Sequence, residues 1–235
     1  MSKKPARASH KPLRVDVLTL FPEMFPGYLD ASILGRAQKQ KLLNVRIHQL
    51  REWTHDRHKT VDDKPFGGGP GMVMKIAPFH EALVSLGLRS KKTGRRTRKA
   101  KKTRVIMTAA SGKPFTHADA VRLSRYERLV FLCGRYEGVD HRVTDRLADE
   151  SFRIGEYVLT GGELPAMVMI DAITRHRPGV LGKEASLDEE SWSGEGHGEY
   201  PQYTRPEMYL GMKVPEVLMS GDHKKIKEWR TKHRI

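Results

Sequence analysis

At 235 residues and 38% hydrophobic, the chain has enough material for one large domain or two modest ones with a sizeable core. No apolar run approaches the roughly 20 residues of a membrane helix. Met1–Pro12 is basic and polar, without the apolar stretch of a secretory signal, and the single cysteine, Cys133, excludes an intramolecular disulfide and suits a cytoplasmic setting.

Arg14–Leu20, RVDVLTL, is apolar and β-branched and reads as a buried strand. FPEMF then turns into a helix expected over about 23–40, with Pro22 suited to its first turn. Leu43–Leu50 alternates in polarity and reads as a second strand. Residues 51–72 read as a long polar loop with glycines, and a helix follows over about 77–86. The run Arg89–Arg104, RSKKTGRRTRKAKKTR, holds ten basic residues and no acid. Alone it reads equally as a solvated, mobile loop or as a polyanion-binding segment. The basic stretch at Ser2–Lys11, the basic C-terminal end and the net charge of +15 favour the polyanion.

Arg104–Ala110 is a third strand, followed by Ser111-Gly112-Lys113-Pro114 and a helix over about 116–124. Arg128–Gly134 is a fourth strand, and GVDHRVTDRLAD reads as a helix. Ser151–Leu159 is a broken strand ending at Gly161-Gly162, before a helix from about Leu164 to His176. The alternation predicts an α/β fold with a parallel sheet. Residues 180–200 lack apolar periodicity and read as a linker. A small second unit follows, its last helix expected to start near Asp222, a plausible N-cap.

Glycines thus stand at the ends of three strands, at Gly112, Gly134 and Gly161-Gly162. Ligands of open parallel sheets sit beyond the carboxyl ends of strands, so these loops are candidates for one pocket. TGGELP matches neither a dinucleotide fingerprint nor a phosphate loop, and no cation follows until Arg175. On residue types alone it reads as a structural turn, or as a close backbone approach to a neutral or cationic group. THDRHKTVDDKPFGGGPGM, Thr54–Met72, has two histidines among acids, in a spacing that matches no zinc pattern. Its GGGPG reads as a surface loop or as a segment that orders around a nucleic-acid backbone. Cys133 follows an apolar run and reads as a buried small residue, with no adjacent histidine to activate it. Glu137, in CGRYEGVD, is a carboxylate suited to hold a cation or a hydroxyl. The acids of DEESW, Asp188–Trp192, are either solvated or a mobile general base.

The strings LFPEMF, THDRHKTVDDKPFGGGPGM, CGRYEGVDHRV, IGEYVLTGGELPAM, PGVLGKEAS, YPQYTRPE and VPEVLMSGDHKKIKEWR occur in that order. Over essentially residues 14–230 the chain closely resembles the bacterial tRNA (guanine-37 N1)-methyltransferases, knotted enzymes of the SPOUT superfamily. The resemblance implies an α/β domain with a deep C-terminal trefoil knot and a small helical C-terminal domain. The expected organisation is a basic, disordered tail (1–12), the knotted methyltransferase domain (13–182), an interdomain linker (183–199) and a helical tRNA-binding domain (200–235). It further implies a cytoplasmic homodimer with active sites shared between chains, S-adenosylmethionine as methyl donor, and a tRNA anticodon stem-loop as partner. Whether magnesium is needed, as in the family, stays open.

By the same resemblance, donor contacts fall on Thr108, Ala109, Ser111 and Gly112 in the first loop, and on Gly134, Tyr136, Glu137 and Gly138 in the second. In the third they fall on Ile154, Gly155, Glu156, Tyr157, Val158, Leu159, Gly161, Gly162 and Pro165. No metal ligand is implied. Arg175 is the implied cation that stabilises charge on the acceptor base. The family's general base is an aspartate in D-S-F, where this chain has Glu190-Ser191-Trp192. Glu190 is the favoured base and Asp188 the substitute. Glu156 replaces an aspartate common in the family. Competing readings are a SPOUT methyltransferase of another RNA position, a tRNA-binding homologue with impaired catalysis, and a nonspecific nucleic-acid binder; the last leaves the three ordered glycine loops unexplained.

Overall fold

The computed structural model describes residues 11–182 and 199–234. Its strands are β1 (Leu13–Thr19), β2 (Leu43–Gln49), a short antiparallel pair β3 (Asp62–Asp63) and β4 (Val73–Met74), β5 (Thr103–Pro114), β6 (Arg128–Cys133) and β7 (Glu150–Arg153). Five of them form one parallel sheet in the order β2-β1-β6-β5-β7. The central strands β1 and β6 are buried almost throughout, as strands covered on both faces must be. One apolar cluster, around Phe25, Phe131, Phe152 and Ile170, covers one side, and a second, around Phe79, Leu83, Val105 and Leu132, covers the other.

The helices are α1 (Pro26–Leu29), α2 (Ser32–Lys39), α3 (Ile76–Ser85), α4 (His117–Leu123) and α5 (Glu163–Arg175). Three expectations need correction. The single helix over 23–40 is instead a 3-10 turn at Pro22–Met24 followed by α1 and α2. The chain restarts at Pro26, and Ser32 takes φ 47°, outside any right-handed helix. The helix expected after Gly138 is only a π turn, Val143–Leu147, which buries Val143 and Leu147. The strand expected to reach Leu159 stops at Arg153, because the residues beyond it turn out of the sheet to line a cleft.

The basic run is not a bare solvated loop. It folds back on itself through an antiparallel bridge between Arg89 and Arg96, and Thr97 Oγ1 donates to Gly87 O at 2.6 Å. Arg89 is buried; its Nη2 lies 2.8 Å from Asp149 Oδ1.

The described residues fall into two compact units that divide at Gly182. The second contains β8 (Met208–Tyr209) and β9 (Met212–Lys213), a hairpin turned by Leu210 and Gly211 at φ 51° and 79°, with the two positive angles that a tight right-twisted hairpin requires. α6 (Glu216–Met219) and α7 (His223–Lys232) follow, and Asp222 caps α7 by accepting from the N–H groups of Lys224 and Lys225.

Candidate active site

The carboxyl ends of β5, β6 and β7 open into one cleft of about 390 Å3. Its first wall is an excursion of β5. Thr108 and Lys113 both pair with Phe152 of β7, so residues 109–112 leave the ladder, and Ala109, Ala110 and Ser111 line the cleft. The second wall is Gly134–Val139, after β6. Here Tyr136 has φ 61°, an unusual angle for a bulky residue. The turn is held from behind by β4: Glu137 N donates to Met72 O at 3.1 Å, and Met74 N to Gly138 O at 2.9 Å. The glycine-rich segment 66–71 is thereby docked beside the cleft, a proximity for which the sequence carried no signal. The third wall runs from Ile154 to Gly162 and leads into α5.

Two glycines are dictated by space. At Gly162 a Cβ would lie 2.0 Å from Thr108 Oγ1 and 2.9 Å from both Cys133 Cα and Gly134 N. Its N–H donates to Gly134 O at 2.9 Å, so the second and third walls are joined backbone to backbone. At Gly112 a Cβ would meet Phe152 N at 2.6 Å and Ser151 C at 2.7 Å. Gly112 therefore lets the tail of β5 rejoin β7.

Beneath the cleft lies a buried polar network. Glu163, the first residue of α5, accepts from Thr19 Oγ1 at 2.7 Å and from Arg135 Nε at 2.9 Å. An acid at this helix end also complements the macrodipole. Arg135 stacks over Phe21, 4.3 Å from the ring centre, and donates to Thr160 O at 3.2 Å. Sequence reading passed over Thr19, Arg135 and Glu163. The available signal was an acid at the first turn of a helix whose next seven residues are apolar.

The electrostatics of the cleft follow from these bonds. Of the arginines lining it, Arg135 is paired with Glu163, and Arg153 donates to Gly112 O at 2.8 Å and lies 3.6 Å from Glu156. Among the described residues no lysine lines it, and Glu137 adds a carboxylate. Such a cleft does not suit a phosphate; it suits a neutral or cationic ligand held by backbone groups. Cys133 lies fully buried behind it, where burial and then the charge of Glu163 push the thiol well up, so it is no nucleophile.

A model of the family described as "tRNA (Guanine-1)-methyltransferase TrmD" matches residues 13–235. The chain belongs to this family. It is 49% identical over 221 residues to a tRNA (guanine-N(1)-)-methyltransferase of Heliobacterium modesticaldum, covering 94% of this chain and 79% of the relative. Proteins of the same name from Dictyoglomus turgidum and Pasteurella multocida are 48% and 45% identical, covering 95% and 94% of this chain and 85% and 86% of theirs. A SPOUT-superfamily α/β fold with a parallel sheet accords with that membership.

All of the expected donor contacts line the cleft except Gly112 and Glu156. Gly112 is buried against β7, and the side chain of Glu156 extends into solvent beside Arg153. Arg175 is not brought to the cleft. It is the last of the 13 residues of α5, roughly 20 Å of helix from Gly162. There it lines a separate hollow of about 250 Å3 with Phe115, His117 and His176, whose imidazoles meet edge-on at 4.9 Å. Glu190 and Asp188 lie outside the described residues. In the loop after β2, His55 bonds to Glu81 at 2.7 Å, and Asp56 accepts from Thr60 Oγ1 at 2.7 Å, so both serve local polar contacts.

Proposed function

We propose that this chain transfers a methyl group from S-adenosylmethionine to N1 of guanine-37 in the anticodon loop of tRNA, as a homodimer with active sites shared between chains. The observation that carries the reading is the cleft: three strand-end loops, two of them joined backbone to backbone, surround a volume whose arginines are already engaged, in a chain of this family. The cleft fits a donor with a sulfonium and no phosphate. Ile154, Leu159 and Pro165 supply apolar surface for its adenine, and Glu137 supplies the opposite charge. When bound, the donor supplies a methyl carbon that the N1 lone pair attacks as the carbon–sulfur pair withdraws to sulfur.

The rest of the work falls to the protein. N1 carries a proton, so a carboxylate must accept it; Glu190 is the proposed base and Asp188 the substitute. As that proton leaves, negative charge grows on O6. Arg175 is proposed to face it, an interaction stronger in the transition state than in the ground state and worth roughly 3–4 kcal/mol. The guanine leaves its stack to reach this position.

The place of Arg175 supports the dimer. One chain cannot hold the donor at Gly162 and apply Arg175 to the same methyl group across the length of α5. Leu164, Val168, Asp171 and Arg175 follow one another along one face of α5, and Leu164 and Val168 are exposed. Tyr28, bonded to Asp171, joins this face to the exposed Phe21 and Met24. An apolar face of that kind is suited to a second copy. Packed there, each Arg175 would serve the partner's cleft.

The trefoil knot belongs to this reading through the superfamily. Residues 200–235, ending in the cations of α7, are proposed as the tRNA-gripping unit, joined by the linker 183–199 and preceded at the far end by the tail 1–12. Among the described residues no helix is long and apolar enough to cross a membrane. The test is incubation with labelled donor and an unmodified tRNA transcript carrying guanine at 36 and 37. Transfer to N1 of guanine-37 is expected. Tight donor binding without transfer would make the chain a tRNA-binding homologue instead, and transfer elsewhere would make it a SPOUT enzyme of another site.

A further inference from the structure

The ten cations of residues 89–104 divide into two kinds. Four are occupied. Arg89 is buried, with Nη2 2.8 Å from Asp149 and bonded to Leu147 O at 2.5 Å. Arg96 reaches the carbonyls of Ala100 and Thr103. Lys102 pairs with Glu127 at 2.7 Å, and Arg104 lies 3.3 Å from Glu150. The other six, Lys91, Lys92, Arg95, Arg98, Lys99 and Lys101, are exposed and face no acid among the described residues.

A mobile charge run needs no such foundation. Here the chain desolvates one guanidinium, at a cost of several kcal/mol unless paired, to fix the base of a hairpin. Leu88 and Ala100 are buried at its two ends, and Ser90 N donates to Arg95 O at 2.9 Å across it. Lys91, Lys92 and Arg95 lie within this hairpin, and Arg98, Lys99 and Lys101 on or just after the 3-10 turn Arg98–Ala100 that continues it; holding six like charges on so short a stretch is unfavourable unless an anion meets them.

The hairpin also has a defined relation to the cleft. Segment 141–149 lines the cleft with His141 and Thr144, then receives Arg89 at Leu147 and Asp149. One turn of chain separates the two roles, and Arg146, exposed on that turn, extends the positive surface.

We infer that this hairpin is a built docking surface for the phosphate backbone of the RNA whose base enters the cleft, with those six side chains as the contacts. This rests on the tRNA reading above. Phosphate contacts of this kind position an RNA without reading its sequence.

The test is the quadruple variant K91Q/K92Q/R98Q/K99Q, which leaves Arg89 and Arg96 in place, with its melting temperature and donor affinity compared with the parent's. Binding of an unmodified tRNA transcript is measured from 50 to 200 mM salt, and KM and kcat are measured for methyl transfer. The slope of log affinity against log salt is expected to fall by about three to four. KM for tRNA is expected to rise at least roughly tenfold at low salt while kcat at saturation holds. A folded variant with an unchanged slope and KM would overturn the inference. The enzymatic reading fails separately: a parent that binds tRNA with the hairpin-dependent slope yet transfers no methyl group would sink that reading and leave the hairpin's role standing.

Discussion

The cleft and the basic hairpin are neighbours along the chain, but they are built in opposite ways. The cleft is made of main chain. Its walls bond carbonyl to amide, and at Gly162 the fit excludes even one methyl group. The hairpin is made of side chains. Its backbone is ordinary, and its character lies in six exposed cations raised on one buried ion pair. In the function proposed above, the donor would be gripped by close-fitting main chain, whereas an RNA backbone would be met by side chains that act additively and are screened by salt.

That contrast can be broken at several points. Arg175→Ala should give the largest change in activity: kcat/KM for tRNA falls by about 10²–10³ while donor affinity, read by calorimetry, stays put. Loss of donor affinity would instead put Arg175 in the wrong role. Asp149→Ala should be the most damaging change to the hairpin, because it strands a buried guanidinium and removes the acceptor that Val105 N reaches at 2.9 Å. A loss of about 3 kcal/mol in denaturant unfolding is expected; a loss under 1 kcal/mol would mean that the hairpin has no real foundation.

Gly162→Ala sharpens the contrast on the cleft side. Donor affinity should weaken roughly 10–100-fold, with a smaller effect on tRNA binding, since the added methyl group displaces Thr108 or the backbone of the second wall. Equal donor affinity in the variant would contradict the close-fit account.

The smallest effect is on stability against pH. Asp16 is fully buried in β1; burial alone would raise its pKa, but hydrogen bonds from His48 and Arg128 hold it at about 2. A carboxyl with a lowered folded pKa contributes fully above its unfolded value, about 4, and loses that contribution as pH falls through about 2. The unfolding free energy of the parent should therefore exceed that of Asp16→Asn by on the order of 2 kcal/mol at pH 5, and the gap should close toward pH 2. A gap independent of pH would assign the loss to packing.

Much of the cleft was legible because strand ends announce themselves: β-branched runs stop at glycines, and parallel strands deliver those ends to one side. Residue types fixed less where long-range packing decides. The helix expected over 23–40 contains good helix formers, yet Pro26 and the angle at Ser32 split it. The bond from Arg135 to Glu163 spans 28 residues, and that from Thr19 to Glu163 spans 144, so no local pattern exposes either. The basic run read as solvated or anion-binding on composition; which cations are structural depended largely on Glu127, Asp149 and Glu150, further along the chain. Arg175 was legible as a residue, while its distance from the cleft, and with it the support for a second chain, needed the length of α5.

Methyl transfer to guanine N1 is read directly from the labelled nucleoside. Purified protein is incubated with labelled S-adenosylmethionine and an unmodified tRNA transcript, in parallel with the same transcript carrying adenine at position 37, and the digested nucleosides are identified. Label is expected in 1-methylguanosine from the first transcript and none from the second. Label in any other nucleoside, or none at all from a protein that binds both donor and tRNA, would contradict methyl transfer to guanine N1.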